Sequence, residues 1–162
     1  MSPSDNQELE AVSAAARRAW HGFLVVYEPL RPELYRYCRY LTRSPWDAED
    51  LAQDALARGF ATLSLMGQAP PNPRAWLLRV ASNLWLDRLR RGRAAAPDEL
   101  GAEPSAAAVD VQATREAAST LLAQLAPQER AAVVLKDVFE LSLEEVAEAL
   151  STSAGAVKAA LH

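Results

Sequence analysis

Apolar residues along this chain recur at spacings of three and four, and nowhere do they alternate with period two. The pattern therefore predicts helices throughout. Asp5 and Glu8 can cap a first helix that runs to about Tyr27, where Pro29 and Pro32 break it. A second, Pro32–Thr42, carries Leu34, Tyr37, Cys38 and Leu41 on one side. Ser44 can cap a third, with Pro45 at its first helical position; its inner stripe is Leu51, Ala55, Leu56, Phe60 and Leu63, to about Met66. After the loop 67–71, Asn72-Pro73 starts a fourth helix, which Gly92 is expected to end. Further helices are predicted over about 110–125, 127–138 and 142–150, and from Thr152 onward.

The last two form a recognisable pair. Ser142 and Glu145 make a capping box at the start of one helix. Val146, Ala147 and Leu150 are its inner stripe; Ser151-Thr152-Ser153 makes a break; Val157 and Leu161 are the inner stripe of the next helix. The small Ala147 lets the two cross closely. This reads as a helix-turn-helix, which lays its second helix in the major groove of DNA; an ordinary helical hairpin is the plainer alternative. Glycine is commoner in such a turn than Ser151, because a left-handed conformation costs other residues about 1 kcal/mol.

The stretch 92–109, GRAAAPDELGAEPSAAAV, is rich in proline, glycine and alanine and reads as a flexible linker. The expected organisation is a four-helix domain over 1–91, a linker over 92–109 and a second helical domain over 110–162. The two halves are expected to share no large fixed interface.

Composition agrees with an all-α fold: alanine and leucine dominate, and half the residues are hydrophobic, enough to bury a core. The single Cys38 excludes an internal disulfide and a cysteine-based zinc cluster, and is expected to be buried rather than nucleophilic. The polar, acidic start MSPSDNQELE is no signal peptide, and no apolar run approaches the roughly 20 residues of a membrane span. A reducing cytoplasm, with no membrane contact, is the expected setting. Charge is segregated. Residues 1–66 hold seven arginines against nine acids, net −2; 67–96 hold six arginines against one acid, net +5; 97–162 hold four basic residues against eleven acids, net −7. One basic segment between acidic ones suits local contact with DNA and acidic faces for a protein partner.

Two helices carry candidate chemistry. On the third, Asp47, Asp50 and Asp54 share a face, with Gln53 at its border. Acids in a first turn suit the helix dipole, which accounts for Asp47 but poorly for Asp54 in the third turn. An acidic stripe for a basic partner is the sharper reading. No histidine lies nearby to suggest a metal site, and no catalytic set or cofactor is expected. On the fourth, Arg74, Arg79, Arg90, Arg91 and the flanking Arg93 interleave with Trp76 and Trp85, a mixture suited to phosphates and unstacked bases. Asn83 could read a base, because an amide both donates and accepts. A solvated arginine face around a tryptophan-filled core is the alternative.

Together these segments resemble the bacterial RNA polymerase sigma factors of the extracytoplasmic-function (ECF) group, in the sigma-70 superfamily. Leu34–Phe60, LYRYCRYLTRSPWDAEDLAQDALARGF, is similar to that family's core-binding segment in region 2. Pro73–Arg91, PRAWLLRVASNLWLDRLRR, is similar to its promoter-melting, −10-reading helix, and Leu125–His162 to its region 4, which reads the −35 element. The resemblance implies a non-enzymatic initiation factor that binds polymerase core and promoter DNA. It implies that Asp47, Asp50, Gln53 and Asp54 face the coiled coil of the β′ subunit. It puts Asn83 and Asp87 near the −10 element and the loop 64–72 where a flipped base is captured. It turns Lys158, Ala159 and His162 toward the major groove. An anti-sigma factor or a regulatory C-terminal domain would be further partners. The chain departs from the family in three ways: it stops at His162, where more basic residues usually follow; its recognition helix is rich in alanine; and Ser151 replaces the commoner glycine. The recognition helix is therefore expected to be truncated. A helical DNA-binding regulator that acts without polymerase is the competing function.

Overall fold

Helix boundaries follow local chemistry. The computed structural model describes residues 3–95 and 120–162. It begins with α1 (Pro3–Tyr27), a 3-10 turn over Glu28–Leu30 with Pro29 early in it, and α2 (Arg31–Thr42). Ser44 caps α3 (Pro45–Met66) by accepting from the Asp47 amide at 3.3 Å, and Gly67, at φ 71°, ends it. Asn72 caps α4 (Pro73–Ala95), its Oδ1 accepting from the Ala75 amide at 3.0 Å. Residues 120–124 form the described part of α5. Then come α6 (Pro127–Val133), a π turn over Val134–Val138, α7 (Leu143–Ala149) and α8 (Ala154–Ala160). No strand occurs among the described residues. The fold is all-α, with two groups of helices, as the periodicity predicts. Of the linker expected over 92–109, residues 92–95 belong to α4 and 96–109 lie outside the described residues, as do 110–119 of the helix expected over 110–125.

The first group is built around α3. Its buried side, Ala48, Leu51, Ala52, Ala55, Leu56, Gly59 and Leu63, packs against α1, α2 and α4. Those helices contribute Phe23 and Tyr27, then Leu34, Tyr37, Cys38 and Leu41, then Leu77, Leu78, Ala81, Leu84 and Trp85. Cys38 is fully buried, and burial pushes its thiol up to about 12, which leaves it an inert packing residue. In the second group Ala131, Ala132, Val134, Leu135 and Leu141 meet Val146, Ala147, Ala149 and Leu150 of α7 and Val157 of α8. No described helix is long and apolar enough to cross a membrane.

Two expectations need correction. Gly92 does not end α4, which continues to Ala95. A glycine stops a helix by turning left-handed, and Gly92 keeps a negative φ. Nor are the two halves separate. Phe139 is 2% exposed and sits edge-on to Tyr37 and Tyr40 of α2, with ring centroids 5.4 and 6.3 Å apart. The Arg36 guanidinium lies 5.0 Å from the same ring. An aromatic side chain that its own short helices cannot cover gains most by burial against the other half.

Ser82 is the buried polar residue of the first group. Its Oγ donates to the Leu78 carbonyl at 2.8 Å, which leaves Tyr37 as donor in their 2.7 Å hydroxyl pair. Ser82→Ala strands the Tyr37 hydroxyl and is expected to cost about 1–3 kcal/mol, whereas Tyr37→Phe leaves Ser82 bonded and should cost only about 0.5–1.5 kcal/mol. Urea-unfolding midpoints of the two variants check the order.

Candidate nucleic-acid interface and acidic stripe

Because one side of α3 is buried, its other side is fixed toward solvent. Asp47, Asp50, Gln53 and Asp54 are all exposed there, and Trp46, 83% exposed, stands at the head of the stripe. Gln53 donates to Glu49 one turn back at 3.2 Å. Asp54 accepts from Arg88 of α4. That ion pair gives Asp54 a structural reason in the third turn that spacing along α3 does not reveal.

The arginines of α4 are also engaged. Arg74 donates to Glu33 of α2, Nε at 2.8 Å, and from Nη2 to the Phe139 carbonyl at 2.8 Å. Arg79 pairs with Glu148 of α7 at 3.3 Å. Arg90 pairs with Asp87 at 2.9 Å, and Arg91 donates to the Asp87 carbonyl at 3.4 Å. Asn83 is half-buried on the same helix, and Arg93 is exposed. The structure thus brings Arg74 and Arg79 to the junction of the halves and leaves Arg90, Arg91 and Asp87 further along α4, at the solvent.

The helix-turn-helix is formed as its chemistry requires. Ser142 and Glu145 exchange both bonds of the capping box, at 3.1 and 2.8 Å. The bond from the Ser142 amide, with smaller help from the Ser142 hydroxyl, Arg74 and Asn72, holds the Glu145 carboxyl below its usual range against the opposing effect of burial. Ser151 is left-handed at φ 53°, and the Thr152 amide reaches back to the Ala147 carbonyl at 2.9 Å. Ser153 caps α8 through the Ala156 amide at 3.1 Å, so the second helix starts slightly later than Thr152. Lys158, Ala159 and His162 are exposed, and Val157 on the opposite side is buried. In that half α4 packs chiefly against α7, where Arg79 meets Glu148.

Between α4 and α7 lies a cavity of about 340 Å³ walled by Pro70, Pro71, Ala75, Trp76 and Ala149. Asn72 and Arg79 border it from the first half, and Glu145 and Glu148 from the second. The Asn72 amide donates to Glu145 at 3.1 Å. Sequence reasoning missed these cross-contacts, and it missed Arg130. That guanidinium donates to the carbonyls of Leu122 (2.8 Å), Ala123 (3.2 Å) and Leu41 (3.2 Å) and lies 5.8 Å from the Trp85 ring. It ties the ends of α5 and α2 to α6. The one sequence clue was Phe139, a lone aromatic just past the apolar stripe of α6.

The chain is similar to known proteins in both of its halves. Residues 26–95 match the Sigma-70 region 2 family and residues 115–162 match Sigma-70, region 4. The ECF RNA polymerase sigma factor SigJ of Mycobacterium tuberculosis is 34% identical over 145 residues, covering 82% of this chain but 45% of SigJ. The chain therefore spans less than half the length of that relative. The RNA polymerase sigma-E factor of Streptomyces coelicolor is 35% identical over 132 residues, covering 80% of this chain and 73% of the relative. Among solved structures, the sigma factor RpoE of Bartonella quintana, in complex with the anti-sigma factor NepR, superposes with a TM-score of 0.68 at 24% identity, over 82% of this chain and 84% of that one. That likeness is one of fold.

The left-handed Ser151 yields a prediction. Ser151→Gly removes the steric cost of that turn, about 1 kcal/mol, and is expected to stabilise the protein by up to about 0.5 kcal/mol once the extra backbone entropy of glycine is subtracted. Thermal melts of the two proteins measure it; no rise in Tm would contradict the assignment of strain to this turn.

Proposed function

The chain belongs to the ECF RNA polymerase sigma factors, and we propose on that premise that it directs core polymerase to promoters and helps to melt them. The observation that carries the reading is the division of labour on the first four helices. One exposed acidic face on α3 and one arginine-rich helix, α4, are held by a single core, so a protein and a nucleic acid can be engaged at once. The protein acts by binding, without catalysis, in the cytoplasm.

In this reading the first domain, residues 1–91 with α4 running on to Ala95, uses Asp47, Asp50, Gln53 and Asp54 against the β′ subunit. Asp47 and Asp50 carry most of the charge available to that partner, since Asp54 is shared with Arg88. Arg74, Arg79, Arg90 and Arg91 attract the phosphates, and Asn83 and Asp87 face bases of the −10 element. The second domain, beyond the linker, turns Lys158, Ala159 and His162 to the −35 element. An anti-sigma factor, or a further C-terminal domain, would regulate the assembly.

Asp47→Arg with Asp50→Arg is expected to weaken binding to core polymerase by several kcal/mol, because like charges then meet across the interface. Both sites are exposed, so the fold should be kept, with a cost of only about 0.3–1 kcal/mol where Asp47 favours the helix dipole. Unaltered affinity in a pull-down with core enzyme would refute the assignment. Asn83→Ala is expected to relax base preference at one −10 position by about 1–3 kcal/mol. Transcription from promoters with single −10 substitutions measures it; an unchanged ranking of bases would remove Asn83 from the readers.

A further inference from the structure

The apolar stripe of α1 outruns the bundle that it serves. Leu9, Val12, Ala16, Ala19, Phe23 and Val26 stand alternately three and four apart, the repeat that seats one helix against another along a seam. The last two are covered by the first group of helices: Phe23 is buried and Val26 packs against the core. The earlier ones are not. Tyr27 lies against Gly59 of α3, and a Cβ on Gly22 would stand 3.4 Å from Leu63, so α3 runs antiparallel to α1 and ends, at Met66, close to the level of Ala19. From there toward its N-terminus α1 continues past the end of α3 for roughly 16 residues, about 24 Å. Residues 4–13 are exposed throughout, Leu9 to 68% and Val12 to 70%. A lone helix of that length is marginal in water, and a second helix on the open stripe would stabilise it.

Side-chain size along the stripe selects the occupant. The large residues, Leu9 and Val12, come first and the small ones, Ala16 and Ala19, follow. A second copy of α1 laid antiparallel and centred on Ala14 sets Leu9 opposite Ala19 and Val12 opposite Ala16, and the two-fold axis repeats both layers. Every layer then holds one large and one small side chain. A parallel copy would crowd Leu9 against Leu9 and leave Ala16 facing Ala16 across a gap. Charge selects the same orientation. Glu8 and Glu10 lie in the first half of the segment, Arg17 and Arg18 at its end, and no basic residue precedes Arg17. Glu10 and Arg17 are seven apart, hence on one flank; reversing one copy brings Glu10 of each within a residue of the level of Arg17 of the other, whereas a parallel copy sets acid on acid. We propose that the projecting half of α1 is a self-association helix, which pairs antiparallel with the same helix of a second copy of this chain. Trp20, half-exposed where α1 leaves the bundle, follows the last layer and is covered at the edge of the pair. The acidic stripe of α3 faces away from the core and therefore from α1, so pairing leaves it open. The contact is short for a specific interface, which makes the dimer reversible.

The experiment follows the full chain by sedimentation equilibrium, from low micromolar to several hundred micromolar protein. The expected result is a reversible equilibrium between monomer and dimer. Glu8→Lys with Glu10→Lys makes the segment basic at both ends and should weaken association about ten- to a hundredfold, because attraction turns to repulsion at pairs that the two-fold axis repeats. Adding Arg17→Glu and Arg18→Glu to the same chain reverses the polarity of the helix and should restore the dimer; a variant that had merely lost its fold would not recover. Orientation is read by disulfide cross-linking, Cys38 being buried and unreactive. Leu9→Cys protein mixed with Ala19→Cys protein should cross-link one to the other, and neither to itself. A chain that stays monomeric throughout the range overturns the proposal. So does association that the first pair of substitutions leaves unchanged or the second pair does not restore, since the contact then lies elsewhere. Cross-linking of Leu9→Cys protein to itself marks a parallel pair and overturns it as well.

Discussion

Ala48, Ala52, Ala55 and Gly59 run down the buried side of α3 at spacings of four, three and four. Small side chains there let three other helices approach α3 closely; a Cβ placed on Gly59 would stand 3.5 Å from the Tyr27 ring, already in contact. Leu51, Leu56 and Leu63 fill what remains. This close approach fixes the rotation of α3 about its own axis. Once that rotation is set, Asp47, Asp50 and Gln53 have only solvent to face, and α4 must pass where Arg88 meets Asp54. The interaction surface is thus a consequence of an alanine-rich core face. A larger residue on that face would turn the acidic stripe as well as strain the packing.

Charge is distributed by the same logic. The chain carries a net −4, yet the region around α4 is locally positive. Concentrated like charge opposes a compact fold, and the protein offsets it with carboxylates from three sources: Glu33 of α2, Asp54 of α3 and Glu148 of α7. Each pair is partly exposed, so none contributes much to stability alone. Their value is in orientation: an arginine tied at one carboxylate keeps its position without leaving the solvent.

What the sequence shows and what it hides separate by distance along the chain. Ser44-Pro45, Asn72-Pro73, Ser142 with Glu145, and Ser151 were all readable, because each acts on backbone groups within five residues. Amphipathic spacing likewise marked Leu34, Tyr37, Cys38 and Leu41 as core. Gly92 misled because a glycine permits a left-handed turn without requiring one, and nothing nearby makes α4 stop there. The pairing of Asp54 with Arg88, of Arg74 with Glu33 and of Arg130 with the Leu41 carbonyl spans 34, 41 and 89 residues. No periodicity encodes such pairs; they arise only when the helices have been packed. The closure of the two halves belongs to the same class, and reading a linker from composition says nothing about what its ends will do.

The arginines of the junction differ in how much they depend on that closure. Arg74 is held mainly by Glu33, which belongs to its own half, and only its second bond goes to Phe139. Parting the halves would leave Arg74 still neutralised. Arg79 has its carboxylate on α7, in the other half, so parting frees its full charge. Arg130 behaves in the opposite sense. Burial, with Arg43 close by, lowers its pKa, and it meets the cost of a half-buried cation by donating to three carbonyls, one of which lies across the junction. Opening would return that donor to water at little loss. The net effect is a junction whose first half gains one exposed guanidinium on opening, beside a tryptophan and an asparagine, while its structural arginine stays in place.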